Sequence, residues 1–299
     1  MSVSQSLRLQ GSLTALITPM RADGSLDERA FADLVEWQIA EGIDGLVPVG
    51  TTGEWPTLTH HEHKRVVEIC IETVRGRVPV VAGAGSNSTA EAIDFARHAK
   101  KAGADATLVV TPYYNKPTQE GLFLHFTAIA DAVDLPMILY NVPSRSVVDI
   151  MPETMGRLAK HRNIVGVKDA TANLARPLQQ TATCGDEFIQ LTGEDHTALA
   201  FNAGGGRGCI SVTSNIAPRL CAEMQKAWRE GRLGDALAIQ MRLLPVHDAL
   251  FCETSPGPVK YAASLLGRGT DFCRLPMAPV AAETRIRVET AMRGAGLLN

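Results

Sequence analysis

Short apolar runs rich in Val, Ile and Leu alternate along this chain with longer amphipathic stretches. The runs are Leu13–Ile17, Gly45–Val49, Val78–Ala82, Ala106–Val110, Met137–Tyr140, Ile164–Lys168, Phe188–Leu191 and Gly208–Ser211, and they read as strands. Between them lie helical patterns such as Asp27–Glu41, Thr59–Arg75, Thr89–Ala102 and Thr118–Ala132. Asp27 stands where an N-cap belongs, and Thr59 with Glu62 three residues on has the form of a capping box. Eight such units in succession, spaced by about 25 to 30 residues, predict an α/β chain folded as a closed (β/α)8 TIM barrel. A doubly wound open sheet is the alternative, but no Gly-x-Gly-x-x-Gly closes the first strand.

After Ser211 the alternation stops. Asn215–Glu230, Gly234–Leu250, Pro258–Leu266 and Ala281–Arg293 read as helices with no strand between them. The sequence therefore predicts a catalytic barrel over residues 1–231 and a C-terminal helical domain over residues 232–299, divided at Arg232-Leu233. The repetition is architectural only, since no period recurs in the residues themselves.

Composition narrows the class. The formal net charge of −3 gives no electrostatic case for nucleic acid or an anionic membrane surface. No apolar run approaches the roughly 20 residues a membrane helix needs, and Met1–Gln10 lacks the apolar core of a secretory signal. Six scattered cysteines with no C-x-x-C pair read as reduced thiols, so a cytoplasmic enzyme is expected.

The chemistry of such a barrel sits at the C-terminal ends of its strands. There the chain places Gly50-Thr51-Thr52-Gly53-Glu54, Thr111-Pro112-Tyr113-Tyr114-Asn115, Tyr140-Asn141-Val142-Pro143-Ser144-Arg145 and Lys168. An ammonium at the tip of an apolar strand loses hydration, which favours the neutral amine, and a neutral amine attacks ketones. The plain alternative is that Lys168 caps the strand and points into water. A Gly-Thr-Thr-Gly turn, paired tyrosines and a loop arginine each have equally plain readings. Their joint placement on one rim is what points to a lysine-dependent enzyme.

Those four motifs, with Gly166-Val167-Lys168-Asp169 and Gly208-Cys209-Ile210-Ser211-Val212-Thr213-Ser214-Asn215, closely resemble the dihydrodipicolinate synthase family. That family lies in the pyruvate-dependent class I aldolase superfamily, with N-acetylneuraminate lyase. The likeness runs from about Gly11 to the C-terminal helices. It implies a carbon–oxygen lyase that condenses pyruvate with L-aspartate-4-semialdehyde to 4-hydroxy-tetrahydrodipicolinate, at the entry to lysine and diaminopimelate biosynthesis. By the resemblance Lys168 forms the imine, and Tyr140 moves protons through a relay of Thr51 and Tyr114, the latter from a neighbouring subunit. Thr52 holds the pyruvate carboxylate, Arg145 receives the semialdehyde carboxylate, the Ile210 carbonyl lines the site and Gly193 walls it. No metal or dissociable cofactor is implied, only the covalent Schiff base. The expected assembly is a homotetramer of two tight dimers.

His60, His61, Glu62 and His63 lack the His-Glu-x-x-His spacing of a zinc site. The resemblance gives His60, His63, Asn87, Glu91 and Tyr113 instead to a feedback pocket for L-lysine. A solvated helix face and a turn are the plain alternative. Three positions depart from the family: Trp55 after Glu54, the glycine-rich Gly204-Gly205-Gly206-Arg207-Gly208, and Ser255 where asparagine is frequent. Two rival functions stand beside the main one, a pyruvate aldolase of a sugar acid and a non-catalytic metabolite-binding barrel. The Thr51-Thr52 pair and Arg145 favour the synthase over the first, and the intact Thr51, Tyr114, Tyr140 and Lys168 set argues against the second.

Overall fold

The computed structural model of the chain describes residues 9–299. Part of the segment read against a secretory signal, up to residue 8, lies outside the described residues. Eight strands follow one another: β1 (Gly11–Ala15), β2 (Gly45–Val47), β3 (Val81–Gly83), β4 (Ala106–Val110), β5 (Met137–Asn141), β6 (Ile164–Asp169), β7 (Ile189–Thr192) and β8 (Gly208–Ser211). They belong to one parallel sheet. With the helices between them they make the (β/α)8 barrel that the alternation predicts.

The helices are α1 (Glu28–Ala40), α2 (His60–Val74), α3 (Thr89–Ala102), α4 (Gln119–Ala132), α5 (Pro143–Ser146), α6 (Pro152–Leu158), α7 (Arg176–Cys184) and α8 (Ala198–Ala203). Four more follow the last strand: α9 (Pro218–Arg229), α10 (Leu233–Leu250), α11 (Gly257–Leu265) and α12 (Ala282–Gly294). Both predicted caps are present. The Asp27 carboxylate accepts from the Ala30 N–H, and Thr59 and Glu62 form the reciprocal capping box. None of the described helices is long and apolar enough to cross a membrane.

Two compact units divide the chain, one centred on Pro79–Ile210 and the other made of Gly11–Val78 with Ser211–Asn299. In the first, β3 to β7 pair in order, with a register shift between Met137 and Ile138 where β5 meets β6, and beyond that shift Tyr140 faces Lys168. In the second, β1 pairs with β2, and α1 buries Phe31, Leu34, Val35 and Gln38. Gln38 is wholly enclosed and bonded at both polar atoms: Thr14 Oγ1 donates to its Oε1 at 2.6 Å, and its Nε2 donates to the Ser214 carbonyl at 2.9 Å.

Strand ends differ from the apolar runs for a definable reason. The sequence predicts β1 through Ile17, yet the Ile17 N–H is taken by Asn215 Oδ1 at 2.9 Å, which ends the ladder. The Val80 N–H is likewise held by Asp105 Oδ2 at 2.8 Å, and β3 starts at Val81, three residues after the start of the predicted run. Asn215 also donates to the Ala15 carbonyl at 2.8 Å. It therefore sits in a tight turn rather than in α9, which begins at Pro218, a residue suited to the first helical turn.

Candidate active site

Strand alternation sorts the side chains of β6. Gly166 and Lys168 face one way, and Val167 and Asp169 the other. Lys168 pairs in register with Tyr140 of β5, and its Nζ lies 4.4 Å from the Tyr140 ring centroid. The lysine is only 5% exposed and the tyrosine is buried. A cation or amine against the electron-rich face of a phenol ring is held in place without an ion pair. On the other side Gly193 follows β7. A Cβ built there would come within 2.9 Å of Lys168 Cε and 2.8 Å of Ala170 Cβ, so only glycine leaves room for the lysine stem.

Asp169 points away from the amine and anchors the strand end. Its Oδ1 accepts from the Thr171 N–H at 3.0 Å and Thr171 Oγ1 at 2.6 Å. Its Oδ2 accepts from Gln180 Nε2 at 2.6 Å and faces Arg176 Nε at 3.6 Å. The buried Arg176 also donates to Asp149 Oδ1 at 2.7 Å and to the Ile150 carbonyl at 2.6 Å. Asn141, at the end of β5, closes this network by donating to Asp149 Oδ1 at 2.7 Å and accepting from the Ile150 N–H at 3.0 Å. The ends of β5 and β6, which carry Tyr140 and Lys168, are thus bolted to α7.

The sequence reading missed Arg176, Gln180 and Asp149. Arg176 and Gln180 are four residues apart on one buried helical face, a polar pair that such a face does not ordinarily carry. It also missed Glu194, next to Gly193. Burial, and secondarily the neighbouring Asp195, raise the Glu194 carboxyl above its usual range, while the charge of Lys168 draws it back. An acid that feels Lys168 thus lies beside the glycine that shapes the lysine's space.

The other predicted residues are placed as follows. Ile210 is fully buried on β8. Arg145 lies exposed on α5, directly after β5. Thr51 and Thr52 lie in a one-turn helix, Thr51–Gly53, that follows β2. The Gly53 N–H donates to the Gly50 carbonyl at 3.0 Å, and Thr18 Oγ1 donates to the Gly53 carbonyl at 2.8 Å. Thr52 is buried and Thr51 half-buried. Tyr113 packs toward Asn87, Ser86 and Glu91, and burial raises its phenol above the ordinary range. Ser86 Oγ makes a short hydrogen bond to Glu91, and Asn115 Nδ2 donates to the Asn87 carbonyl at 2.8 Å. Asn87, Glu91 and Tyr113 are therefore brought together. His60 and His63 lie on the first turn of α2, His60 exposed and His63 buried. Among the described residues no group of three His, Cys, Asp or Glu side chains stands ready for a metal ion.

Backbone strain concentrates at the same ends of the strands. Among the described residues seven other than glycine have positive φ, and six of them lie in loops that follow strands. They are Val49, Glu54, Tyr114, Lys116, Val147 and Ala172, whereas Arg75 caps a helix. For a branched or bulky side chain this region is costly, and such costs gather where function fixes the geometry.

A buried primary amine against a phenol, set on strand six of a (β/α)8 barrel, is the arrangement of a lysine-dependent barrel enzyme. The chain belongs to the dihydrodipicolinate synthetase family, whose sequence pattern matches residues 8–295. It is 68% identical over 288 residues to the 4-hydroxy-tetrahydrodipicolinate synthase of Acidiphilium cryptum, covering 96% of this chain and 99% of that one. Among solved structures it resembles the chloride-inhibited dihydrodipicolinate synthase of Acinetobacter baumannii complexed with pyruvate. That match has 43% identity and a TM-score of 0.95, and covers 97% of this chain and 100% of the other. The lysine-bound enzyme of Cyanidioschyzon merolae matches at 37% identity and a TM-score of 0.94, over 97% and 99% of the two chains.

Proposed function

We propose that this chain condenses pyruvate with L-aspartate-4-semialdehyde to give 4-hydroxy-tetrahydrodipicolinate, with Lys168 as the nucleophile. The Lys168 amine attacks the pyruvate ketone and a water leaves, giving an imine. The imine draws electrons from the methyl group, which loses a proton and becomes an enamine. The enamine carbon attacks the semialdehyde carbonyl, and the new alkoxide takes up a proton. The amine of the bound semialdehyde portion then displaces Lys168 by transimination, which closes the ring and frees the enzyme. No dissociable cofactor enters this sequence.

Tyr140 carries the protons. A phenol is a reluctant base in water, but one linked through Thr51 to a second phenol, Tyr114, passes a proton without free phenolate accumulating. Thr52 holds the pyruvate carboxylate through its hydroxyl and N–H. Arg145 offers the semialdehyde carboxylate a planar fork for two parallel bonds. The Ile210 carbonyl and Gly193 bound the space around the amine. We place the catalytic domain in residues 1–231, with residues 232–299 as its helical companion, and the enzyme in the cytoplasm.

L-Lysine acts as a feedback inhibitor at His60, His63, Asn87, Glu91 and Tyr113. The carboxylate of Glu91 and the amide of Asn87 suit a ligand with two ammonium groups, and the grouping of Asn87, Glu91 and Tyr113 supports this reading. The assembly is a homotetramer of tight dimers. Tyr114 is 90% exposed, and Leu233, Leu237 and Met241 form an open apolar stripe on α10, leaving surface for such contacts.

The observation that carries the proposal is the enclosed Lys168 amine beside the Tyr140 ring. Borohydride added with pyruvate is expected to leave a pyruvyl adduct on Lys168, read by peptide mass spectrometry. A coupled assay is expected to accept aspartate semialdehyde, to reject sugar aldehydes and to slow at millimolar L-lysine. No adduct at Lys168, or turnover of sugar aldehydes in preference, overturns the proposal.

A further inference from the structure

The turn that carries Thr51 and Thr52 ends in Glu54, and Glu54 is gripped from the C-terminal segment of the same compact unit. Lys260 of α11 is wholly buried, and Glu54 almost so. Lys260 Nζ donates to Glu54 Oε1 at 2.5 Å and to the Thr18 carbonyl at 3.0 Å. Thr18 in turn donates to the Gly53 carbonyl. The second carboxylate oxygen, Glu54 Oε2, accepts from the Arg274 N–H at 3.1 Å. The Arg274 guanidinium then reaches the Thr57 carbonyl at 2.7 Å, the Glu62 carboxylate at 2.5 and 2.8 Å, and the Gly24 carbonyl at 2.8 and 3.0 Å.

A buried ion pair is poor value as a stabiliser, because desolvation of the two ions takes back most of their attraction. A well-packed apolar pair in the same space is often as stable or more so. What the charges supply is direction. Every polar atom of Glu54 is committed, its backbone sits at φ 57°, and the residues before it form a single helical turn that cannot hold its own shape. A Cβ at Gly53 would lie 3.1 Å from the Leu16 carbonyl and 3.2 Å from Thr18 Oγ1, so the turn is seated tightly on the exit of β1. The turn's position is therefore set by the contacts of Glu54, Thr18 and Arg274, all tied to Lys260 or its neighbourhood.

We infer that Lys260 and Arg274 are positioning residues for the reaction: they fix the Thr51–Gly53 turn so that its two hydroxyls meet pyruvate at the required distance. This rests on the proposed roles of Thr51 in proton transfer and Thr52 in carboxylate binding. Neither Lys260 nor Arg274 touches the substrate.

The test is the double variant Lys260→Met with Glu54→Gln, which removes both charges together and leaves no unpaired ion in the interior. Thermal unfolding, borohydride capture of pyruvate, and kcat and KM for pyruvate are measured on the folded protein. The adduct at Lys168 is expected to form as in the parent. Pyruvate KM is expected to rise several-fold, and kcat to fall by about 10- to 100-fold, the scale of loss for a misplaced reacting group. Arg274→Lys, which keeps the charge but loses the fork, is expected to show the same split more weakly, with pyruvate KM up about threefold and kcat down about 5- to 10-fold. It also decides the matter should the double variant fail to fold. Folded variants with kcat and KM within twofold of the parent overturn the inference and leave the pair a packing feature. A parent enzyme that forms no adduct defeats the proposed function instead, so the two failures are told apart.

Discussion

A single methyl group at position 193 tests how finely the amine is seated. Alanine there would press on Lys168 Cε, at 2.9 Å, and on Ala170 Cβ, at 2.8 Å. Lys168 lies on β6 and Ala170 directly follows it, at a strand end bolted through Asp169 to α7, so the flexible lysine stem is what must yield. A displacement of about 1 Å at a reacting group costs on the order of 100-fold in rate. Gly193→Ala is accordingly expected to lower kcat by that order and to slow borohydride capture of pyruvate, with little change in unfolding temperature. Unchanged capture kinetics would show that the wall does not shape the amine. At this scale the sequence was legible where a residue type is unusual for its setting. Lys168 stands out because it ends an apolar strand, and Tyr140 and Arg145 because polar groups follow another. Glu194, Arg176 and Gln180 were not legible, since their meaning comes from partners that only folding brings near.

Among the elements, strands were readable as apolar runs and most long helices as periodic stretches, because burial on a sheet or one helix face imposes those periods. The ends of β1 and β3 were not, as side chains of Asn215 and Asp105, remote in sequence, take the next N–H in line. The four-residue α5 and six-residue α8 are too short for a helical period to register. Contacts between elements also carry a pH dependence. His125 of α4 is buried, and its Nδ1 meets Thr89 Oγ1 of α3 at 2.9 Å. Burial depresses its pKa to about 4, against 6.5 for an ordinary imidazole. Below the ordinary value the unfolded chain binds a proton that the folded one refuses. The contribution to stability is therefore complete above pH 6.5 and shrinks as pH falls toward 4. Over that window it changes by on the order of 3 kcal/mol. Urea unfolding at pH 7.5 and pH 5 is expected to show His125→Phe losing less stability on acidification than the parent. Equal losses would assign the acid sensitivity elsewhere.

At the scale of the whole molecule, one chain leaves a proposed catalytic group pointing away from itself. Tyr113 and Tyr114 are neighbours with opposite fates: Tyr113 turns into the cluster of Asn87, Ser86 and Glu91, while Tyr114, at φ 69°, is 90% exposed. A bulky residue held in the left-handed region, with its side chain in solvent, bears a cost that its own chain does not repay. The family resemblance assigns Tyr114 to a relay from a neighbouring subunit, while the residue by itself reads only as a surface tyrosine. A relay that borrows Tyr114 from the neighbouring subunit makes a sharp demand on mixed assemblies. Tyr114→Phe and Lys168→Ala homo-oligomers are each expected to be nearly inactive. When the two are mixed and allowed to exchange subunits, half of the tight dimers are mixed. Each mixed dimer pairs an intact Lys168 with an intact Tyr114 at one of its two sites. Activity is then expected to return to about a quarter of the parent's, following from the two-fold symmetry of the pair. A relay completed within one chain predicts the opposite, because every site in the mixture would keep one defect and the rate would stay at the level of the separate variants.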